Sequence, residues 1–294
     1  MRGDRLKLAT YNVKDLFLNG EGPVKPGKAL RPLARMIDQV GADLIALQEV
    51  GSEQSLAALN ERLTRPYAFA RFARGNSERS IGLAVLSRVA VAVTSYADLA
   101  LRDSEGSVMQ AYADETSARA GITSPLRFQR DVMRLEYDLP GSCGVSTETN
   151  GSLRVAVFVV HLKSRTNRPW QTLSADDIRS AEIRALAWAV REYAQQHPNR
   201  QILVMGDCND QFSSDAMAPL RALGLRDPVG EAVRQAGRNP STYWPKRRMR
   251  IDHILLWPPR GRVRVHNPTI HANNMARTAS DHYPVSIELH WAQD

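Results

Sequence analysis

The sequence predicts an α/β protein with a sheet-on-sheet core and helices outside. Two observations carry this. Short apolar runs that close on polar turn residues alternate with stretches of helical periodicity. Each half of the chain then passes from strand and helix into antiparallel strands, which must pack on one another to bury their apolar faces.

The first strand is LKLATYNV, Leu6 to Val13. A Gly/Pro-rich loop leads to a helix over ALRPLARMIDQVGA, where Leu30, Leu33, Ile37 and Val40 recur at helical spacing. DLIALQEV is a second strand ending at Glu49, followed by a helix through EQSLAALNERL. Extended segments come next at 68–73, SIGLAVLSR and VAVAVTSYA. Residues 98–127 are polar and aperiodic, and are expected to form a long surface insertion in a single domain spanning 1–294. FQRDVMRLEYDL and LRVAVFVVHL read as strands. The clearest helix is ADDIRSAEIRALAWAVREYAQQ, which Ser174 can cap and whose N-terminal dipole Asp176 and Asp177 favour. A buried strand, ILVMGDCND, and a helix near 215–223 precede a last third that reads as strands: STYWP, RIDHILLWP, RVRVHNPTI and PVSIELHW.

With 43% hydrophobic and 24% charged residues, the 294-residue chain has ordinary globular composition, which excludes a disordered class. No apolar stretch approaches the roughly 18 to 20 residues of a membrane span. MRGDRLKLATYNV enters a strand too early for a signal peptide, so a cytoplasmic location is expected, or a secreted one if a leader was trimmed; a monomer without membrane insertion is expected as well. Cys143 and Cys208 lack the spacing of a disulfide framework or a zinc site. A net charge of +8 tilts the reading toward a polyanionic partner.

The strand ends carry the chemistry. ILVMGDCND runs straight into Asp207 and Asn209, which alternate along an extended backbone and point the same way. Such a cluster also suits a plain turn. The pattern recurs, however: LATYNV delivers Asn12, LIALQEV delivers Glu49, VFVVHLKS delivers His161 and Lys163, RIDHILL delivers Asp252, and SDHYPV delivers Asp281 and His282. Polar ends on several strands are expected where the strands share one edge, which is where α/β sheets bind ligands.

In this order, these blocks resemble the endonuclease/exonuclease/phosphatase superfamily, the fold shared by DNase I-like nucleases, over nearly the whole chain from Asn12 to His282. The resemblance implies a four-layer α/β/β/α sandwich with two packed mixed sheets. It also implies a metal at Glu49, with Asn12 and Asp281 near it, and an Asp252 carboxylate orienting His282. Asp207 would deprotonate or orient water, and Asn209 would hold a phosphoryl oxygen. His161 and Lys163 would donate to the developing charge. Whether Asp207 or His282 takes the proton stays open. Asp15 fits either a carboxylate behind the metal or an exposed loop charge, and Arg130 either a phosphate contact or a surface salt bridge. The tyrosine that AP endonucleases place near the metal has no counterpart.

Residue chemistry agrees with a metal. Phosphate ester hydrolysis needs accelerations of up to about 10²¹-fold, whereas a lone acid or base supplies about 10² to 10⁴. Hard oxygen ligands without thiolate point to Mg²⁺ or Mn²⁺. The segments YWPKRRMR, with Tyr243 and Arg248, and RTNRPW, with Trp170, combine cations and aromatics as nucleic-acid contacts do, although solvated turns look similar. The expected activity is a nuclease acting on DNA ahead of RNA. The alternatives are a phosphatase or phosphodiesterase on a small or lipid phosphate, and an inactive binding module of the same fold.

Overall fold

The computed structural model describes residues 5–18, 27–76, 79–139, 153–237, 241–246, 249–258 and 263–291, with the backbone alone at 27–29. The elements run β1 (Arg5–Leu16), α1 (Gly27–Val40), β2 (Leu44–Val50), α2 (Glu53–Asn60), β3 (Phe69–Arg74), β4 (Gly82–Ser87), β5 (Ala92–Ser95), β6 (Gln110–Ala111), α3 (Glu115–Ala120) and β7 (Ser124–Pro125). They continue with β8 (Met133–Leu139), β9 (Leu153–His161), α4 (Ala175–Gln196), β10 (Gln201–Asp207), α5 (Ala218–Ala222), α6 (Pro228–Gln235), β11 (Asp252–Leu256), β12 (Val263–Ile270), α7 (Asn274–Ala279) and β13 (Val285–Trp291).

Two mixed sheets result, one ordered β12-β13-β1-β2-β4-β3 and the other β11-β10-β9-β8-β5. Strand parity builds the layers. Leu8, Leu44, Ala46, Val157, Leu203 and Met205 fill the space between the sheets. Their neighbours Ala9, Tyr11, Ile45 and Leu47 turn outward onto Leu33, Ile37 and Ala276 of α1 and α7. On the other sheet, Phe158, Ile202 and Val204 pack against Ile178, Leu186 and Val190 of α4. Both faces of the central strands are therefore buried, which is why they read as unbroken apolar runs. The outcome is the four-layer α/β/β/α sandwich.

α4 begins with the predicted cap, as the Ser174 hydroxyl accepts from Asp177 N and the Asp177 carboxylate accepts from Ser174 N. Two short helices lie where only strands were expected. α6 starts at the Asp227-Pro228 cap and α7 at the Asn273 cap, signals that eight- and six-residue segments make easy to overlook. STYWP forms a single bridge, Tyr243 to His282, in place of a strand. The stretch at 98–127 holds β6, α3 and β7, and buries Leu101 and Leu126 in the core beside α4. No helix among the described residues is long and apolar enough to cross a membrane.

One glycine is dictated by close approach. Gly206 has φ +146, and a Cβ there would lie 1.9 Å from Val160 O on the neighbouring strand. Gly206→Ala should therefore lower the unfolding free energy by about 1–3 kcal/mol through backbone strain, measured by urea denaturation. An unchanged midpoint would show that β9 and β10 can separate without cost.

Candidate active site

Register brings the polar strand ends together. β10 pairs in parallel with β9, setting Asp207 beside His161, and antiparallel with β11, setting Asp207 beside Asp252. Parity then aims all three inward. Met205, Val159 and Ile254 face the other sheet, and two residues along from each stand Asp207, His161 and Asp252. In the facing sheet Leu8 points inward, so Asn12, four residues on, does too. His282 enters from the turn before β13, which lies antiparallel to β1.

The meeting point is Asp207 Oδ2. It accepts from Asn12 Nδ2 at 3.0 Å and faces His161 Nε2 at 3.7 Å and His282 Nε2 at 3.8 Å. The other oxygen, Oδ1, accepts from the Asn209 backbone N–H at 2.8 Å. His282 Nδ1 donates to Asp252 Oδ2 at 2.8 Å, which orients the ring, and Tyr243 packs against it with 5.1 Å between ring centroids.

Glu49 arrives by a different route. Leu47, two residues before it, faces outward, so regular alternation would send Glu49 away from the other sheet. The ladder is irregular between Gln48 and Val50, and Glu49 adopts φ +63. This left-handed conformation costs about 1–2 kcal/mol for a non-glycine residue. Asn12 Nδ2 donates to Glu49 Oε1 at 3.2 Å and Asp15 N to Oε2 at 3.2 Å. Lys14, Asp15 and Asn209 also have positive φ, so four such residues cluster at this edge.

The electrostatics follow from burial and crowding. Burial and then the Asp252 carboxylate push Asp207 well above the usual carboxylate range. For His282 burial works downward, but Asp252 and Asp207 outweigh it and hold the imidazole protonated well above its ordinary value. His161 is driven down by burial and by the Arg130 guanidinium, and is neutral. The site thus holds one charged and one neutral histidine on either side of a carboxylate whose ionisation is delayed.

Several predicted residues sit differently from expectation. Lys163 lies beyond the end of β9, and its ammonium donates to the Ser164 and Thr166 carbonyls of the following loop. The Asn209 side-chain amide donates to Leu162 O at 2.9 Å, so its present part is to fix the loop and Asp207. Asp281 pairs with Lys14 at 3.0 Å. Arg130 is buried and donates to Leu162 O at 3.3 Å, so it is no surface salt-bridge residue. Trp170 lines a cavity of about 550 Å³ with Arg168 and α3 residues including Arg119. Arg248 lies outside the described residues.

Other residues of the site had no motif to announce them. Arg79 bonds to Asp15 and lies 3.7 Å from Glu49, so Asp15 is engaged beside the site. From α4, buried Glu182 accepts from Lys163 N at 2.6 Å, and Arg179 donates to Asp210 at 3.0 Å and to Lys163 O at 3.3 Å. These i, i+3 neighbours tie the loops after β9 and β10 to one helix face, a signal visible only once α4 is placed.

The donor set suits a divalent cation. Asp207, Asp252 and His282 each offer an atom within 4.8 Å of the others. Asp252 Oδ1 is buried without a hydrogen-bond partner among the described residues. Glu49 and Asp207 are bridged by the single Asn12 amide, and Cys208 brings no thiolate to them, since it packs into the apolar layer beside α4.

The sequence matches the profile of the Endonuclease/Exonuclease/phosphatase family over residues 9–282. The chain belongs to this family. Endonuclease/exonuclease/phosphatase proteins hydrolyse phosphoester bonds and depend on divalent metal. No curated protein matches the sequence significantly. Among solved structures, the human Nocturnin catalytic domain aligns with TM-score 0.63 at 14% identity, covering 98% of this chain and 95% of that one. An endonuclease/exonuclease/phosphatase from Bacteroides vulgatus aligns with TM-score 0.63 at 15% identity, over 98% and 99%. Truncated Caenorhabditis elegans TDP2 gives 0.57 at 17%, over 97% and 98%. At such identities the likeness is one of fold.

Proposed function

We propose that this family member is a nuclease that cleaves phosphodiester bonds by in-line attack of water, DNA being its preferred substrate. The observation that carries the reading is the convergence of Asn12, His161 and His282, from two strands and one turn, on Asp207 Oδ2 at the end of a third strand. Asp207 takes the proton of the attacking water, because its raised pKa leaves it a competent base near neutrality. His282, held charged by Asp252, and His161, neutral with Nε2 toward the carboxylates, donate to the phosphoryl oxygens as negative charge builds. Asn209 and Asn12 keep Asp207 in place.

Glu49 and Asn12 are the residues that would hold Mg²⁺ or Mn²⁺. The cluster of Asp207, Asp252 and His282 is the weaker choice, because its imidazole is held protonated and one of its nitrogens is spent on Asp252. Bound at Glu49 and Asn12, the cation would polarise a phosphoryl oxygen and neutralise charge.

Nucleic acid is favoured over a small ester by the basic chain and by the rim. Arg79 lies beside Glu49 and Lys14 beside Asp281, Arg165 pairs with Asp210 in the loop after β10, and Trp244 is exposed next to Tyr243. The human Nocturnin domain of the same fold was solved with a sulfate anion, a tetrahedral dianion like phosphate. The test is degradation of plasmid, single-stranded DNA and RNA with Mg²⁺ or Mn²⁺, beside EDTA and His282→Ala controls. Metal-dependent cleavage that disappears in the variant is expected. Hydrolysis of a small phosphate ester with every nucleic acid left intact would replace the nuclease by a phosphatase.

A further inference from the structure

A groove of about 620 Å³ runs between the segment at 99–106 and the outer face of α4, lined by Leu99, Arg102, Asp103, Arg184, Trp188 and Arg191. Trp188 lies nine residues along α4 from Arg179, about 14 Å at the helical rise, so the groove is separate from the site around Asp207. Three features set it apart. Arg184, Trp188 and Arg191 follow one another at i, i+4 and i+7, forming a single stripe. Trp188 is 51% exposed, although it is among the largest apolar side chains of the molecule.

The third feature is the charge. Many arginines of the chain are paired with acids, as Arg79, Arg119, Arg134, Arg179, Arg200, Arg226 and Arg250 show. Around Trp188 no such pair forms among the described residues. Arg102 donates to Gly106 O and Arg184 to Arg102 O, both neutral carbonyls. The acid in the groove, Asp103, is turned back on its own loop, accepting from Glu105 N and Ser107 N at 2.9 Å. Three guanidiniums that form no ion pair among the described residues thus frame an exposed indole, with Asp103 as the one acid in the lining.

We propose that this groove docks a single-stranded nucleic acid segment, with a base stacked on Trp188 and phosphates held by Arg102, Arg184 and Arg191; the proposal deepens the nuclease reading and rests on it for its biological meaning. An aromatic platform inside a cationic groove is the way single strands are held without regard to sequence. Duplex DNA hides the faces of its bases, so an exposed indole gains little from it, and a purely anionic ligand would leave the indole unused. The groove length fits too: Arg184 and Arg191 are about 10 Å apart along the helix, room for more than one nucleotide unit. The groove therefore provides a hold on the substrate strand away from the point of cleavage.

The test uses the full chain in EDTA, with a fluorescein-labelled oligothymidylate followed by anisotropy at several salt concentrations. Trp188→Ala is expected to weaken binding by about tenfold, within the range of base–aromatic stacking, and Trp188→Phe to restore most of it. Arg191→Glu should weaken binding and make the log–log slope of affinity against salt shallower by about 0.7 for each phosphate that is no longer neutralised. Binding of a duplex of the same length, whose bases are hidden from the indole, should change little in Trp188→Ala. Equal affinity of parent and Trp188→Ala for the single strand, or a loss in Trp188→Ala as large for the duplex as for the single strand, overturns the proposal. Hydrolysis of bis-p-nitrophenyl phosphate by Trp188→Ala should stay at the parental rate. If no nucleic acid is ever cut yet binding depends on Trp188, the nuclease reading fails and the groove stands. If cleavage proceeds and Trp188→Ala binds like the parent, the groove alone fails.

Discussion

Asp207→Asn is expected to lower kcat on bis-p-nitrophenyl phosphate by about 10³-fold, within the range of roughly 10² to 10⁴ that a positioned base contributes, with little change in KM. Asparagine keeps the shape, and its one amide oxygen can still accept from the Asn209 backbone, but the NH2 that replaces Oδ2 cannot accept from Asn12, so the drop combines the lost base with one lost hydrogen bond. For folding, the lost Asn12 bond is set against the removal of a buried charge. The carboxylate is buried beside Asp252 and its pKa is raised on folding, so its ionised form stabilises the unfolded chain relative to the folded one. That penalty is absent at low pH and grows as pH rises through the unfolded value toward the folded one. Loss of the charge therefore offsets the lost Asn12 bond at neutral pH and above, where the variant should unfold close to the parent in urea, and the variant should be the less stable of the two at low pH.

The same shift fixes the pH profile. In the parent, kcat/KM should climb as Asp207 ionises in the neutral range, well above the value near 4 of an ordinary aspartate. In Asp207→Asn that limb should vanish. A parent profile already flat from about pH 5 upward, or a fall in the variant of less than about tenfold, would move the base to another group, with His282 the next to test.

The second large effect concerns the cation. A divalent ion bound only by the folded chain adds about 2.7 kcal/mol of stability at a hundred times its dissociation constant, a rise of several degrees in Tm. Glu49→Gln should abolish most of that rise and most of the metal-dependent activity. Glutamine tolerates φ +63 no worse than glutamate, and Arg79 retains Asp15, so the metal-free Tm should move little. A thermal shift that survives in Glu49→Gln and disappears in Asp252→Asn would place the ion on the Asp207, Asp252 and His282 cluster instead.

Much of the frame was legible in the residues. Strands such as ILVMGD are apolar on both faces because each faces a sheet on one side and a helix on the other, and their polar ends stand out against that background. α4 was readable to the residue because its length, periodicity and Ser174 cap agree. The short helices α6 and α7 were hidden, since six to eight residues offer little period to detect. The order inside the 98–127 stretch was hidden as well, because it depends on Leu101 and Leu126 finding a core made by distant segments.

By itself the sequence determined which polar side chains border the apolar runs, His161 and Asp207 at the ends of their strands, Asp252 at the start of its own and Asn12 at the last regular pair of β1 with β2, because strand parity and apolar runs are local properties of the chain. Only the tertiary structure decided how they meet. Pairing of β10 between β9 and β11 lined up three of them, and sheet packing brought Asn12 onto Asp207. A left-handed residue then reversed the side on which Glu49 appears, whereas Lys163, past the end of β9 and outside its alternation, is held by the carbonyls of its loop. Pairings between distant strands and the φ of a single residue are set by the packing of the whole chain, and no local pattern encodes them.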